Sequence, residues 1–476
     1  MPVDHASTAQ PAAHPTLAPS AELLARLGEP GPRYTSYPTA DRFVEAFGAD
    51  DYQRALTART VGPGGHAAQP LALYLHIPFC ESVCYYCACN KIVTRQHDRA
   101  ADYLLALDRE IALHVDALGA RARVSQIHLG GGSPTFLSDL QLSRLMATLR
   151  RAFAIGADAE IAIEVDPRTV DATRLERLAQ MGFNRLSFGV QDFDRAVQKA
   201  VHREQPFEPV ARLLQAARLL GFRSTNLDLI HGLPRQTPAS FARTIEQVKQ
   251  LRPDRIALYA YAHLPQRFKP QRRIAAADLP EPAQRIEMLG AAMAALIEAG
   301  YEHIGMDHFA LPDDSLAVAR RQGRLHRNFQ GYTDQPEGDL IGLGVSAIGR
   351  VGGCYSQNTK DIAEYHDALQ HGRFAVARGL APTRDDLVRR AIVMALMCQG
   401  SLDFESLSDA WLVDVRTAFA AELAALRPLA DDGLVLMDAD GVAVTPLGWY
   451  FVRSVAMVFD RYLQADSARA RYSRVL

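Results

Sequence analysis

Cys80, Cys84 and Cys87 stand in the run Tyr74-Leu75-His76-Ile77-Pro78-Phe79-Cys80-Glu81-Ser82-Val83-Cys84-Tyr85-Tyr86-Cys87-Ala88-Cys89, which holds four of the chain's six cysteines. A C-x₃-C-x₂-C spacing lets one loop wrap three thiolates around a single metal centre. On a 4Fe-4S cluster three protein ligands leave one iron open, the position at which a cluster binds and reduces a substrate. A Cys₄ zinc site is the alternative, weakened because zinc usually takes two separated knuckles and the sequence offers one. Cys89 follows Cys87 by two residues. That step is awkward for one tightly chelated group and points to a free thiol with another task, while a fourth-ligand role stays open. Cys354 and Cys398 stand alone and read as buried, inert thiols.

The elements that must hold this loop are legible around it. Leu71–Leu75 is the first convincing strand, and apolar strand-like runs recur at Val124–Leu129, Ile161–Val165, Arg185–Val190, Thr225–Ile230 and Ile256–Tyr261. Amphipathic helical patterns, as in 101–118 and 207–220, separate them. Six βα units in series predict an α/β fold with a parallel sheet, a partial (β/α)₆ barrel. Polar or glycine-rich residues follow strand after strand, at Gly130-Gly131-Gly132-Ser133, Glu164 and Asp166, Gln191 and Asp192, Asp228 and His231, and His263. That rim is where α/β barrels build their sites. Glu164 and Asp228 lie inside apolar strands, where an ionised side chain is costly unless partnered. His76 and His128 read as core histidines satisfied by hydrogen bonds.

The organisation expected from composition is a disordered tail over 1–30, an N-terminal lid segment over 31–66 ending in the glycine-rich Val61–His66, a catalytic domain over 67–375, and a mostly helical C-terminal domain over 376–476 with a small hairpin at 433–445. A formal charge of -2 gives no reason to invoke nucleic acid, and the sequence contains no spanning apolar stretch or secretory signal. The expectation is a cytoplasmic monomer, where clustered cysteines bind metal or do chemistry.

The cysteine spacing after a first strand, Tyr86 before the third cysteine and the glycine triplet after the second strand resemble the radical S-adenosylmethionine (SAM) superfamily. Within it, YLHIPFCESVCYYCACNKIVTRQ, HLGGGSPTFL, EIAIEVDPR, FNRLSFGVQDF, TNLDLIHGLP, YAYAHLP, GMDHFA, LHRNFQGYT and LGVSAI closely resemble the oxygen-independent coproporphyrinogen III oxidase (dehydrogenase) family. The similarity runs from GPRYTSYPTADRF to the closing RYSRVL.

The resemblance implies that Cys80, Cys84 and Cys87 hold a 4Fe-4S cluster and that two SAM molecules bind. Tyr86, Gly132, Ser133, Gln191, Arg203 and Asp228 would surround one, with Asp228 suited to ribose hydroxyls and Arg203 to the carboxylate. Tyr74, Gly131, Glu164, Ala262, Phe329, Gln330 and Ile348 would surround the other, and Cys89, Tyr74 and Glu164 are the catalytic candidates. It implies a 5′-deoxyadenosyl radical that converts two propionates of coproporphyrinogen III to vinyl groups, giving protoporphyrinogen IX. A low-potential flavodoxin or ferredoxin system would donate electrons. Arg33, Lys91, Arg95, Arg203, Arg235, His308 and Arg327 are candidates for propionates, and Tyr34, Thr35 and Tyr37 for the lid. A haem chaperone of the same superfamily is the alternative; such relatives typically lack the Cys89 equivalent and the RYTSYPT segment, and both are present. Tyr86, Ser133 and His231 depart from the common phenylalanine, threonine and phenol of the family, and His231 bears on substrate contact.

Overall fold

The structure is a computed structural model and describes residues 19–28, 31–60, 69–119 and 121–464. The expected tail as far as residue 18, the stretch Val61–His66 and the closing RYSRVL lie outside these residues.

Six parallel strands pair in chain order: Leu71–Ile77 (β1), Arg123–Gly131 (β2), Ala154–Val165 (β3), Arg185–Gln191 (β4), Ser224–His231 (β5) and Arg255–Ala260 (β6). Crossovers run through Arg99–Leu118 (α1), Asp139–Ala152 (α2), Ala172–Gln180 (α3), Phe207–Leu219 (α4) and Pro238–Leu251 (α5). The local causes are plain at α2. Ser138 Oγ accepts from Gln141 N, and Gln141 returns a bond to Ser138 N, closing the first turn. Leu142, Leu145, Met146 and Leu149 then repeat at steps of three and four and are all buried. Burial of each stabilises the fold by about 2 kcal/mol.

The sheet is wider than the six strands the sequence predicts. Glu302–Gly305 (β7) and His308–Ala310 (β8) extend it antiparallel beyond β6. On the other side Leu340–Leu343 (β11) pairs parallel to β1, and Ile348–Val351 (β12), Cys354–Asn358 (β13) and Val376–Leu380 (β14) continue antiparallel. Between the two extensions a hairpin of His326–Asn328 (β9) and Gly331–Thr333 (β10) stands apart. The result is an open barrel of twelve strands whose sheet runs five residues past the boundary expected at 375. Helix Arg384–Gln399 (α6) follows, capped by Thr383, and a small sheet contains the expected hairpin as Val435–Met437 and Gly441–Val444.

Part of the expected disordered tail is ordered. Ser20 caps a helix over Ala21–Leu27, with Leu23 and Leu24 buried. A seven-residue helix with two adjacent leucines disappears into the Ala/Pro-rich composition around it. The RYTSYPT segment is fastened to the chain's far end. Tyr34 and Tyr37 are fully buried, Tyr34 Oη donates to Asp460 Oδ2 at 3.0 Å, and Arg453 donates to the carbonyls of Gly31 and Pro32. No helix among the described residues is long and apolar enough to cross a membrane.

Candidate active site

β1 delivers the cysteine loop to the C-terminal rim of the sheet. Within it Phe79–Cys80 pairs with Ile92–Val93, which folds the loop back on itself. The thiols meet hydrogen-bond donors. Arg203 Nη1 lies 3.5 Å and Arg168 Nη2 3.8 Å from Cys84 Sγ, and Ser133 Oγ lies 3.9 Å from Cys80 Sγ. Asp166 holds both guanidiniums, at 2.6 Å from Arg168 and 3.2 Å from Arg203. These two arginines keep its carboxyl below the usual range although burial pushes the other way. Lys91 Nζ caps the loop, donating to Cys87 O at 3.0 Å and Cys89 O at 3.4 Å. Donors aimed at sulfur suit thiolates that carry the charge of an iron-sulfur cluster. Three thiols on one loop, with donors aimed at the sulfurs of Cys80 and Cys84, fit that group.

Two cavities adjoin the loop. One, of about 560 Å³, is lined by Cys80, Cys84 and Cys87 together with Tyr86, Gly132, Ser133, Gln191, Arg203 and Asp228, the whole of the first set predicted from sequence. The other, of about 450 Å³, is lined by Tyr74, Gly131, Glu164, Phe329, Gln330 and Ile348. Ala262 lines neither; its carbonyl accepts from Gln271 Nε2 at 3.1 Å. Cys89, Gly131, Glu164, Asp228, Ser187 and Tyr259 border both, so the cavities meet there. Cys89 is the exposed member of the four clustered cysteines.

The polar groups at this junction are positioned by one another. Glu164 accepts from Gly131 N at 3.2 Å and faces His128 Nε2 at 3.2 Å. His76 Nε2 lies 2.9 Å from Asn90 O, an acceptor only, so Nε2 carries the proton and Nδ1 accepts from Tyr74 Oη at 3.2 Å. Asp228 accepts from Asn226 Nδ2 at 2.9 Å and Ser187 Oγ at 3.2 Å. Burial first, and then the Glu164 charge, push its carboxyl up to about 7. Gln191 ends β4 at φ 69°, a left-handed conformation that a side chain adopts only where its surroundings enforce it.

The glycine triplet, which lines the cavities through Gly131 and Gly132, also has a packing reason. Gly132 N donates to Ile77 O and Ser133 N to Phe79 O, both at 2.8 Å. A Cβ on Gly132 would lie 2.7 Å from the Phe79 carbonyl oxygen, and one on Gly131, at φ 113°, 2.7 Å from the His76 ring. The triplet lets the second strand press against the cysteine loop.

The propionate candidates scatter. His308 lines the second cavity, and Lys91, Arg95 and Arg203 the first. Arg33 pairs with Asp307 and lies 5.1 Å over the Tyr259 ring. Arg235 sits on the surface against Asp278 at 3.6 Å. Arg327 faces a different cavity. His231 is buried and is not among the residues lining either cavity. Sequence reasoning missed Arg168, Arg185 and Arg255. The signal for Arg168 was its spacing two residues from Asp166. Arg185 and Arg255 line the second cavity and are held by Glu160 at 2.7 Å and Asp314 at 2.7 Å, acids too distant in sequence to be paired by eye.

Comparison with known proteins bears on this arrangement. The radical SAM superfamily profile matches residues 74–248, and the HemN C-terminal domain profile residues 383–451. The oxygen-independent coproporphyrinogen III oxidase of Escherichia coli (strain K12) is 49% identical over 454 residues, 95% of this chain and 98% of that protein. Its counterpart from Pseudomonas aeruginosa is 50% identical over 458 residues, 96% and 98% of the two chains. The solved structure of coproporphyrinogen III oxidase (HemN) from Escherichia coli, described as a radical SAM enzyme, is 50% identical, superposes with a TM-score of 0.86, and covers 90% of this chain and 97% of its own. Similarity of this degree along nearly the full length of both sequences means that the chain belongs to the oxygen-independent coproporphyrinogen III oxidase family of the radical SAM superfamily.

Proposed function

We propose that the chain catalyses the oxygen-independent oxidative decarboxylation of coproporphyrinogen III, turning two propionate side chains into vinyl groups and yielding protoporphyrinogen IX for haem synthesis. Cys80, Cys84 and Cys87 would hold a 4Fe-4S cluster that, with SAM bound, would supply the radical chemistry for taking a hydrogen atom from a propionate β-carbon; loss of CO₂ and of one electron to a one-electron acceptor would leave the vinyl group. The observation that carries this reading is the junction of the two cavities at Cys89, Glu164 and Asp228, beside the cysteine loop.

Tyr86, Gly132, Ser133, Gln191, Arg203 and Asp228 are assigned to one SAM, and Tyr74, Gly131, Glu164, Phe329, Gln330 and Ile348 to a second. Arg203 is buried and rigid, fixed by Asp166 and the Gly189 carbonyl, which suits it to orient a carboxylate without reorganising. Cys89, Tyr74 and Glu164 are assigned to the reacting end. Glu164 keeps its orientation through the Gly131 amide, and the Tyr74 hydroxyl directs its proton at His76 Nδ1. Residues 31–66 are assigned to a lid, 67–375 to the radical SAM catalytic domain and 376–476 to a mostly helical C-terminal domain. The chain works as a cytoplasmic monomer, with electrons from a low-potential donor of the flavodoxin or ferredoxin class.

Anaerobically reconstituted protein given reductant, SAM and coproporphyrinogen III is expected to release CO₂, 5′-deoxyadenosine and protoporphyrinogen IX. Colourless protein that makes no 5′-deoxyadenosine, or stable one-to-one haem binding without turnover, overturns the reading.

A further inference from the structure

A third cavity, of about 360 Å³, lies at the opposite end of the sheet from the cysteine loop, where Pro70 and Ala72 begin β1. The β9–β10 hairpin, the loop 335–338, Arg350 of β12 and helix α6 enclose it. Nothing in the proposed reaction uses it.

Its lining is divided in character. Leu387, Met394 and Trp411 supply apolar surface, while Arg327, Arg350 and Arg390 join Glu337, the sole carboxylate among the lining residues. Glu337 is shared between Arg350 at 2.6 Å and Arg390 at 2.5 Å. Arg327 is only 5% exposed; its Nε donates to Arg33 O at 3.2 Å and its guanidinium lies 4.5 Å over the Tyr332 ring. Asp307 turns instead to Arg33 and His308. Arg327 Nη1 and Arg350 Nε are buried without a hydrogen-bond partner.

Three guanidiniums against one carboxylate leave the enclosure cationic, and a buried N–H of a charged group is costly to leave unpaired. An anion's oxygens would satisfy both orphan donors. A bare inorganic anion would leave the apolar side facing water, whereas the volume falls in the range of cavities that enclose a small organic ligand. We propose that this cavity binds a carboxylate carried on an apolar body, its head on Arg327 and Arg350 and its body along Leu387, Met394 and Trp411. Phe329 borders both this cavity and the reaction cavity. A ligand seated here therefore braces the hairpin that carries Phe329 and Gln330.

Trp411 is one of two tryptophans in the chain, the other being Trp449, so in a Trp449→Phe background emission reports on the cavity wall. Full-length protein of that background is titrated with dodecanoate, with protoporphyrin IX and with inorganic phosphate. The expected result is a saturable change in Trp411 emission with at least one of the two carboxylates and none with phosphate. Response to dodecanoate alone identifies an open-chain ligand, and response to protoporphyrin alone a tetrapyrrole. Arg327→Gln and Arg350→Gln should each weaken binding by about tenfold or more. Arg350 is less buried, so its variant decides the matter if Arg327→Gln fails to fold. No saturable change with either carboxylate, a change that phosphate reproduces, or binding undiminished in Arg350→Gln overturns the proposal. The readout is binding, so its failure leaves the proposed reaction untouched.

Discussion

Cys89 differs from the three cysteines before it in what it faces. Cys80, Cys84 and Cys87 border one cavity, whereas Cys89 borders both and is the most exposed of the set. In the proposed reaction its thiol meets the substrate and the other three hold the cluster. Cys89→Ser should keep the iron content and the visible absorption of reconstituted protein while turnover falls by about a hundredfold or more; loss of iron from this variant would move Cys89 into the ligand set. Asp228 supplies a second test at this scale. Burial and Glu164 hold its carboxyl near the protonated side of neutrality, at about 7. Ribose hydroxyls donate best to the ionised form, so ligand binding lowers this pKa. Affinity for SAM should therefore rise as pH increases from about 6 to about 8 and level off above. Calorimetry across that range should show the slope in the native protein and a flat response in Asp228→Asn.

Elements decide whether those residues meet. The second strand and the cysteine loop touch so closely at Gly132 that a methyl group there would strike backbone, which cannot rotate away. Gly132→Ala should push the loop outward at a cost of about 1–3 kcal/mol. The expected sign is a lower iron-to-protein ratio after reconstitution, with far-ultraviolet dichroism unchanged. The same elements explain what could be read without a structure. The six parallel strands carry buried apolar residues, at every second position in β1 and β4, and stand between amphipathic helices, so their positions and the rim residues after them were legible. Strands β11–β14 were not. They are four or five residues long and carry Gly342, Gly349 and Gly379, so too few residues remain in each for a period to show in the sequence. The cofactor-side residues came from motif resemblance. Apart from Ala262 they fall along the two cavities, but Arg185 and Arg255 escaped because their carboxylate partners, Glu160 on the neighbouring strand and Asp314 at a helix start, lie 25 and 59 positions away.

At the scale of the whole molecule the segment at 31–37 is fastened to residues 453–460. Tyr34 is fully buried and bonds to Asp460, while Arg453 holds the carbonyls of Gly31 and Pro32, so residues far apart in sequence clamp one segment. Sequence could assign the RYTSYPT run to a cover but not say what fastens it, because the fastening residues lie more than four hundred positions away. The clamp also sets Arg33, which pairs with Asp307 beside His308 on the wall of the reaction cavity. Removing the Tyr34 ring should cost about 3–5 kcal/mol, the range for emptying a large aromatic site. That loss falls on one short segment and not on the sheet, so the segment should open locally before the sheet unfolds. Tyr34→Ala is expected to expose the Arg33 bond to trypsin, seen as a new cut by mass spectrometry, and to reduce turnover while the iron content holds. A tryptic pattern identical to the native one would mean that the segment is held by contacts other than this clamp.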